Sequence, residues 1–537
     1  MAKSKEPGSR LITRAEAIAR DFDLSPNCVR RITKHFVDQI KDGLENDRPW
    51  QLPAYLRSIP TGSEKGQFLA VDLGGSNCRI CMANLHGDST FSVSQSKHRV
   101  PRNIMVNDSY LPLFDFIAQK IAEFLDTSSD PDSQLPHKLG FTFSFTCEQI
   151  SLNSGRLIRW DKGWDIPDAI GCDPCVLLQE AIDRLGLAVR VVVLANDSVG
   201  TLLTRSYSSG QKISTLGAVI FGTGTNAAYV EKLSNVRRLG ENVTDAQGIM
   251  VINSEWGSFD DKMEVLPRTP FDDKLDAESG DPGSQMLEKR VSGLYLGELL
   301  RLSILQLFQE NLFSMTLHEV SEVCQHNGIN SSLLSQLVTT EPYDSDSKAQ
   351  VLQKALSVEN VSAEDVAAIQ LIARSITRRA ARLAGASLSA IIIQSGRLKI
   401  SSSEIENRPF RRAIPFLSFR FKDFYHCAPP LARHIFDFVK FVCKGLSSML
   451  PKHTSALRDM PLSEEIIDIG ADGSLIEFYP MFETDMRGAV REIPEIGGAG
   501  EKRIRISLTK DGSGVGAALM AYAAGLTEKQ PTLRCGR

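Results

Sequence analysis

Three short glycine-bearing segments carry the residue types that a phosphate ligand needs. In Asp72-Leu-Gly-Gly-Ser-Asn77, Gly74 and Gly75 let the backbone wrap an anion, Ser76 adds a hydroxyl, Asn77 closes the segment, and Asp72 is placed to hold Mg²⁺ through water. A second segment, Gly222-Thr-Gly-Thr-Asn226, repeats that chemistry, so Gly222, Thr223 and Gly224 can clamp phosphates from the other side. The third, Asp511-Gly-Ser-Gly514, opens a helix and is nucleotide-compatible for that reason. Moving a phosphoryl group from ATP is chiefly positioning and charge neutralisation. It calls for backbone N–H groups, hydroxyls, a metal-directed carboxylate and an oriented acceptor. A lone glycine pair is more often only a hairpin turn. It is the second turn of the same kind that shifts the reading toward function.

The elements that must carry these segments are legible around them. Phe68 to Asp72 is an apolar run ending at the glycines and Arg79 to Asn84 resumes as strand, which describes a hairpin. Leu216 to Phe221 and Ala227 to Glu231 flank the second turn in the same way, a weak internal repeat that predicts a duplicated α/β architecture. The first sixty-odd residues read as helix, with Ser25 and Pro26 capping an amphipathic run through Ile40. Helical periodicity returns from Gln285 to Glu310, from Ala363 to Ala390, and from Gly514 to Ala524. At 537 residues the chain exceeds what one core usually supports, so two large domains with a ligand cleft between them are expected. From Phe410 to Phe441 eight of the 25 phenylalanines crowd together without a period. That stretch reads equally as an extra surface subdomain or as translated non-coding sequence.

Composition narrows the partners. With 42% hydrophobic and 23% charged residues and a formal net charge of -4, the chain offers no broad attraction to nucleic acid or anionic lipid, which leaves a small molecule. The polar start lacks the apolar run of a secretory signal, and no stretch of eighteen apolar residues follows. A cytoplasmic chain is expected, or a nuclear one if the role is regulatory, with its ten cysteines as reduced thiols. Two CxxC spacings, Cys78 to Cys81 and Cys172 to Cys175, invite a zinc or redox reading. The first lies in an alternating strand pattern that sends its two sulfurs to opposite faces.

The three turns and the text between them resemble the hexokinase family of the actin-like ATPase superfamily, from about residue 20 to 525. The most specific stretches are LGFTFSF (139–145), LIRWDKGW (157–164), LANDSVGTL (194–202), FGTGTNA (221–227), NSEWGSF (253–259), SGLYLGE (292–298) and GADGSLIEFYP (470–480). The resemblance implies a two-domain actin-like, ribonuclease H-like α/β fold closing over a hexose or amino sugar, with ATP and Mg²⁺ as cofactors. It also implies an N-terminal helical segment (1–65), a small domain (66–212), a large domain (213–525) with the Phe-rich insert at about 403–464, and a tail (526–537). By the same resemblance Asp197 is the general base. Ser144, Asp161, Lys162, Asn196, Asn226, Glu255 and Glu288 fall at sugar-binding positions, and Gly473 and Ser474 at the adenosine and α-phosphate. Read without it, Asn196-Asp197 is a strand-end turn and Glu255 beside Trp256 a buried acid, since perturbed carboxylates are often structural.

Three departures bear on activity. The usual Trp-Thr-Lys-Gly-Phe is Trp160-Asp-Lys-Gly-Trp164, so Asp161 brings a carboxylate that can pair with Lys162 or repel Asp197 and the incoming phosphate. Thr146 replaces the usual proline after FTFSF, and the usual Asn-Pro-Gly-Gln-Gln reads Asp281-Pro-Gly-Ser-Gln285, with a smaller Ser284 close to Glu288. Room beside C2 of the sugar would suit an N-acetylated amino sugar. The implied activity is ATP-dependent phosphorylation of a hexose at its 6-hydroxyl, with an N-acetylglucosamine kinase and a catalytically weak sugar-sensing regulator as alternatives.

Overall fold

The computed structural model describes residues 9–127, 136–160, 163–211, 213–240, 247–338, 345–398, 466–509 and 512–527. Asp161, Lys162, Asp511 and the whole Phe-rich stretch lie outside the described residues. Two sheets organise the rest. The smaller runs β4-β3-β2-β5-β8, built from β2 (Lys65–Leu73), β3 (Asn77–His86), β4 (Phe91–Arg99), β5 (His137–Phe143) and β8 (Val189–Ala195). Its β2–β3 and β3–β4 pairs are antiparallel, whereas β5 joins β2 and β8 in parallel. A separate ribbon of β6 (Thr146–Ser151) and β7 (Ser154–Arg159) follows β5.

The larger sheet runs β1-β11-β10-β9-β12-β13, from β1 (Leu52–Pro53), β9 (Thr215–Phe221), β10 (Thr225–Lys232), β11 (Ile249–Asn253), β12 (Ile467–Asp472) and β13 (Ile504–Leu508). Here too a glycine hairpin, β9–β10, is followed by a parallel partner, β12. The expected internal repeat is therefore real at the level of strands. In both hairpins three residues, 74–76 and 222–224, bridge the strand ends.

Apolar residues on successive faces decide what covers each sheet. Helices α3 (Leu111–Thr127) and α4 (Pro174–Arg184) bury one face of the smaller sheet through Leu113, Ile117, Ile121, Leu178 and Ile182. The closing helix α9 (Gly512–Thr527) takes the opposite face, where Ala517 and Ala518 pack on Ala70, Cys81 and Ala83. It approaches so closely that a Cβ on Gly140 would lie 2.1 Å from the Ala517 carbonyl oxygen. Sequence position had grouped this helix with residues 213–525; it packs both on the smaller sheet and on the helix Asp197–Ser209. Cys78 and Cys81 point into these two different cores, so their spacing makes no chelate; all seven described cysteines are free thiols.

The larger core holds α1 (Arg10–Asp21), α2 (Pro26–Glu45), α6 (Gly293–Gln309), the long α7 (Ala363–Ser395) and α8 (Phe482–Glu492). Ser25 caps α2 by accepting from the Cys28 N–H, with Pro26 at the first turn. Ser362 and Asp365 form a capping box on α7, which ends at Gly396 with φ 64°. Between the sheets lies α5 (Asp197–Ser209). A fully buried Asp468 on β12 fastens it, accepting from Arg205 (2.7 and 2.9 Å) and Ser209 (3.0 Å) of α5, from Thr215 of β9 (2.8 Å) and from Arg505 of β13 (2.7 Å). Buried charge is tolerated there because every acceptor position is filled by a donor. No helix among the described residues is long and apolar enough to cross a membrane.

Candidate active site

Register alone brings the chemistry to one edge. Asp72, Thr142 and Ala195 are lateral partners on β2, β5 and β8, so the first turn, Ser144 and Asn196-Asp197 all leave the sheet at the carboxyl ends of its strands. At about 4.8 Å between strands, Asp72 and Ala195 stand roughly 10 Å apart. The edge outside the carboxyl ends of parallel strands is where open α/β sheets bind ligands. On the larger sheet Ile220 is the partner of both Asn226 and Asp472, which sends the second turn and Gly473 out at a common edge.

Asn196 is the N-cap of α5. Its Oδ1 accepts from the Ser198 N–H (2.9 Å) and hydroxyl (2.7 Å), and Asp197 begins the helix with Oδ1 accepting from the same N–H at 2.8 Å. From the larger sheet Asn226 Nδ2 donates to Asn196 Oδ1 (3.2 Å) and Asn253 Oδ1 (2.9 Å), and Asn253 Nδ2 donates to Glu255 Oε1 (2.7 Å). One chain of hydrogen bonds thus crosses from the start of α5 to Glu255. Glu255 sits at φ 47°, a left-handed conformation unusual outside glycine and a common mark of functional sites.

Beside this chain a cavity is lined by Phe143, Phe145, Leu194 and Asn196 on one side and Leu52, Asn253 and Glu255 on the other, with Cys147 and Gln149 from the β6 ribbon. Ser144 lies between its two phenylalanines and donates its N–H to the Leu73 carbonyl at 3.2 Å. Apolar walls with a few convergent polar groups are what a small polar ligand requires. Leu52, Asn253, Cys147 and Gln149 were not anticipated. Asn253 adjoins the NSEWGSF stretch, whereas a two-residue strand such as β1 leaves no pattern to read.

Glu288 is set apart from the asparagine chain. Its Oε2 accepts the Thr225 N–H at 2.9 Å, and a Cβ on Gly224 would lie 2.9 Å from that oxygen, so a side chain there would crowd the carboxylate. Gln285, at φ 55°, donates Nε2 to Ser258 at 3.0 Å, and Asp261 accepts the Met286 N–H at 2.9 Å. Burial raises the Asp261 carboxyl to about 6, against the pull of its backbone hydrogen bonds and of Arg159 and Lys289.

The three turns differ in what they leave available. Gly74 donates its N–H to Asn77 O within the first turn (3.0 Å), which removes it as an anion donor. Among the described residues the Gly75 and Ser76 N–H groups have no protein acceptor, while Asn77 Nδ2 donates to Ser76 Oγ (3.1 Å). Asp72 sits opposite Arg79 and Thr142 at the end of β2. In the second turn the carbonyls of Gly222 and Thr223 accept from Gly293 (2.8 Å) and Leu294 (3.1 Å) at the start of α6. The Gly473 turn presses on it: with φ 110°, a Cβ on Gly473 would lie 2.4 Å from Phe221 C and O and 2.7 Å from Gly222 N. Ser474 then opens the short helix Ser474–Phe478. Leu294, at the start of α6, and Phe478, at the end of the short helix after Gly473, are exposed apolar side chains.

Comparison with known proteins identifies the family. Two family models, both described as hexokinase, match residues 14–207 and residues 216–415 with 431–523. Among curated proteins, a glucokinase of Aspergillus niger is 39% identical over 550 residues, covering 97% of this chain and 98% of that protein. Glucokinase-1 of Saccharomyces cerevisiae is 32% identical, with 96% and 97% covered. Among solved structures, a hexokinase from Schistosoma mansoni complexed with glucose matches with a TM-score of 0.75 at 28% identity, covering 96% of this chain and 99% of that one.

Proposed function

Because the chain belongs to the hexokinase family and is a hexose kinase that converts a hexose and ATP to hexose 6-phosphate and ADP, we propose that the edge described above is where it does so. Asp197 is the general base, and glucose is the preferred sugar, a choice supported by the names of the curated relatives and by the glucose-bound structure. These relatives do not favour an N-acetylglucosamine kinase or a non-catalytic regulator. The observation that carries the reading is the position of Asp197, heading α5 at the shared edge and tied through Asn196 and Asn226 to the larger sheet.

The sugar occupies the cavity lined by Asn196, Asn253 and Glu255, with Ser144, Asn226, Glu288, Asp161 and Lys162 as further ligands by their place in the sequence, a set of donors and acceptors that suits a polyhydroxyl ligand. Asp197 accepts the proton of the 6-hydroxyl as that oxygen bonds to the γ-phosphorus and the bond to the ADP oxygen breaks. The Gly75 and Ser76 N–H groups and the Gly222–Gly224 turn hold the phosphates, and Leu294 and Phe478 flank the adenine beside Gly473 and Ser474. The half-buried carboxylate of Asp72 beside a hydroxyl-bearing turn fits Mg²⁺, an ion that keeps most of its ligands as water and phosphate oxygen. Bound there, Mg²⁺ supplies charge neutralisation on the phosphates. The protein acts in the cytoplasm.

Coupled ADP release on purified protein, with glucose, fructose, mannose and N-acetylglucosamine, tests this. Glucose is expected to be turned over fastest. Asp197→Ala is expected to lose about 10²- to 10⁴-fold in kcat while glucose still raises the melting temperature. A variant with wild-type kcat would remove Asp197 from the mechanism.

A further inference from the structure

Trp164 connects two parts of this site that the chemistry treats as separate. It is 5% exposed, and its Nε1–H donates to the Gly75 carbonyl at 2.7 Å. The indole is itself held rigidly: it stacks on Trp160 at 5.5 Å with 13° between the planes, and Phe145 meets both rings edge-on at 5.2 and 4.8 Å. Trp160 in turn donates Nε1–H to Ile166 O at 2.8 Å. A side chain with this many constraints transmits position rather than filling space.

The effect on the turn follows from peptide geometry. The unit joining Gly75 to Ser76 is planar and trans, so its C=O and N–H point in opposite directions. Glycine at 75 imposes little φ/ψ preference of its own, and without an anchor the peptide can rotate. Fixing the carbonyl on the buried indole aims the Ser76 N–H the other way, out of the protein, on an exposed residue whose N–H has no acceptor among the described residues. We propose that Trp164 is a positioning residue: it presets the first turn for phosphate and couples that turn to the sugar-side aromatic cluster that includes Phe145 of the cavity wall. This rests on the reading of residues 72–77 as a phosphate turn.

Trp164→Phe keeps most of the ring packing and removes the donor. The expected result is a rise of about fivefold in KM for ATP, the size of one neutral hydrogen bond, with the hexose Kd within about twofold of wild type. Trp160→Phe is the packing control. It deletes the neighbouring indole donor without touching Gly75, and should lower the melting temperature while leaving KM for ATP within about twofold. Should Trp164→Phe not fold, Trp164→Tyr replaces it, since its ring also lacks a donor at the Nε1 position. Ser76→Pro, which deletes the N–H being aimed, separates the two layers of the inference. If Ser76→Pro raises KM for ATP and Trp164→Phe does not, the positioning role falls and the phosphate-turn reading stands. If Ser76→Pro leaves KM for ATP unchanged, the phosphate-turn reading falls and takes the role of Trp164 with it. Equal rises from Trp160→Phe and Trp164→Phe would reduce the effect to packing and overturn the proposal.

Discussion

Replacing Gly473 by alanine probes the place where the two turns proposed to hold the nucleotide touch. At φ 110° and ψ 156° residue 473 occupies a region essentially closed to side chains, which costs an alanine about 1–3 kcal/mol. The added Cβ would lie 2.4 Å from Phe221 C and O and 2.7 Å from Gly222 N. All three are backbone atoms, so relief requires the two turns to part by roughly 1 Å toward ordinary carbon contact distance. A displacement of that size at reacting groups can cost on the order of 100-fold. Gly473→Ala is therefore expected to lower kcat/KM for ATP by about 100-fold and to cost roughly 2–3 kcal/mol of stability, while glucose binding without nucleotide, followed by calorimetry, stays within about twofold. Gly222→Ala gives the graded comparison. Its Cβ would sit 3.6 Å from Gly473 Cα in ordinary contact, and its loss should be the smaller. Initial-rate kinetics with ATP varied at saturating glucose decide the matter. A Gly473→Ala enzyme with unchanged kcat/KM for ATP, or with glucose affinity lost in parallel, would refute the reasoning.

Two further outcomes are expected. Burial lifts the Asp261 carboxyl from 3.8 to about 6, so the folded chain holds this proton more tightly than the unfolded one; the resulting stabilisation is present below pH 4 and is lost as pH rises through 6. Asp261→Asn, which stays neutral and keeps an acceptor for Met286, should match wild type in urea midpoint at pH 4 and exceed it at pH 8 by about 2 kcal/mol after allowance for partial exposure; equal midpoints at pH 8 would remove the burial argument. Asp161→Thr, which deletes a carboxylate beside Lys162, should raise kcat/KM for glucose about fivefold in the ADP-release assay, and an unchanged or lower value would show that the charge does no harm.

Local chemistry was readable from the sequence and long-range partnership was not. Both glycine hairpins, the Ser25 cap and the α7 helix follow from turn residues and periodicity, signals that act within about ten residues. The side of α9 that is buried follows from nothing local, because its alanines and glycines carry little moment and its sheet lies over 300 residues upstream. Residues 1–65 likewise read as a separate helical segment, yet α1 and α2 share the core of the larger sheet. At the site, Asp197 and Asn226 stand out as polar residues within recognisable stretches. Leu52 and Cys147 lie in none, and Trp164, though inside LIRWDKGW, gives no sign of its hydrogen bond to Gly75, since an indole looks the same whether it fills a core or shapes a pocket.

The placement of α9 gives the polypeptide a temporal problem. Translation delivers the strands of the smaller sheet, residues 65–195, hundreds of residues before the helix that shields their second face. Until residues 512–527 leave the ribosome, Ala70, Cys81, Ala83 and Gly140 have no native cover. A nonsense mutation upstream of 512 would leave that apolar face without the helix that packs on it, although the strands themselves are encoded near the other end of the message.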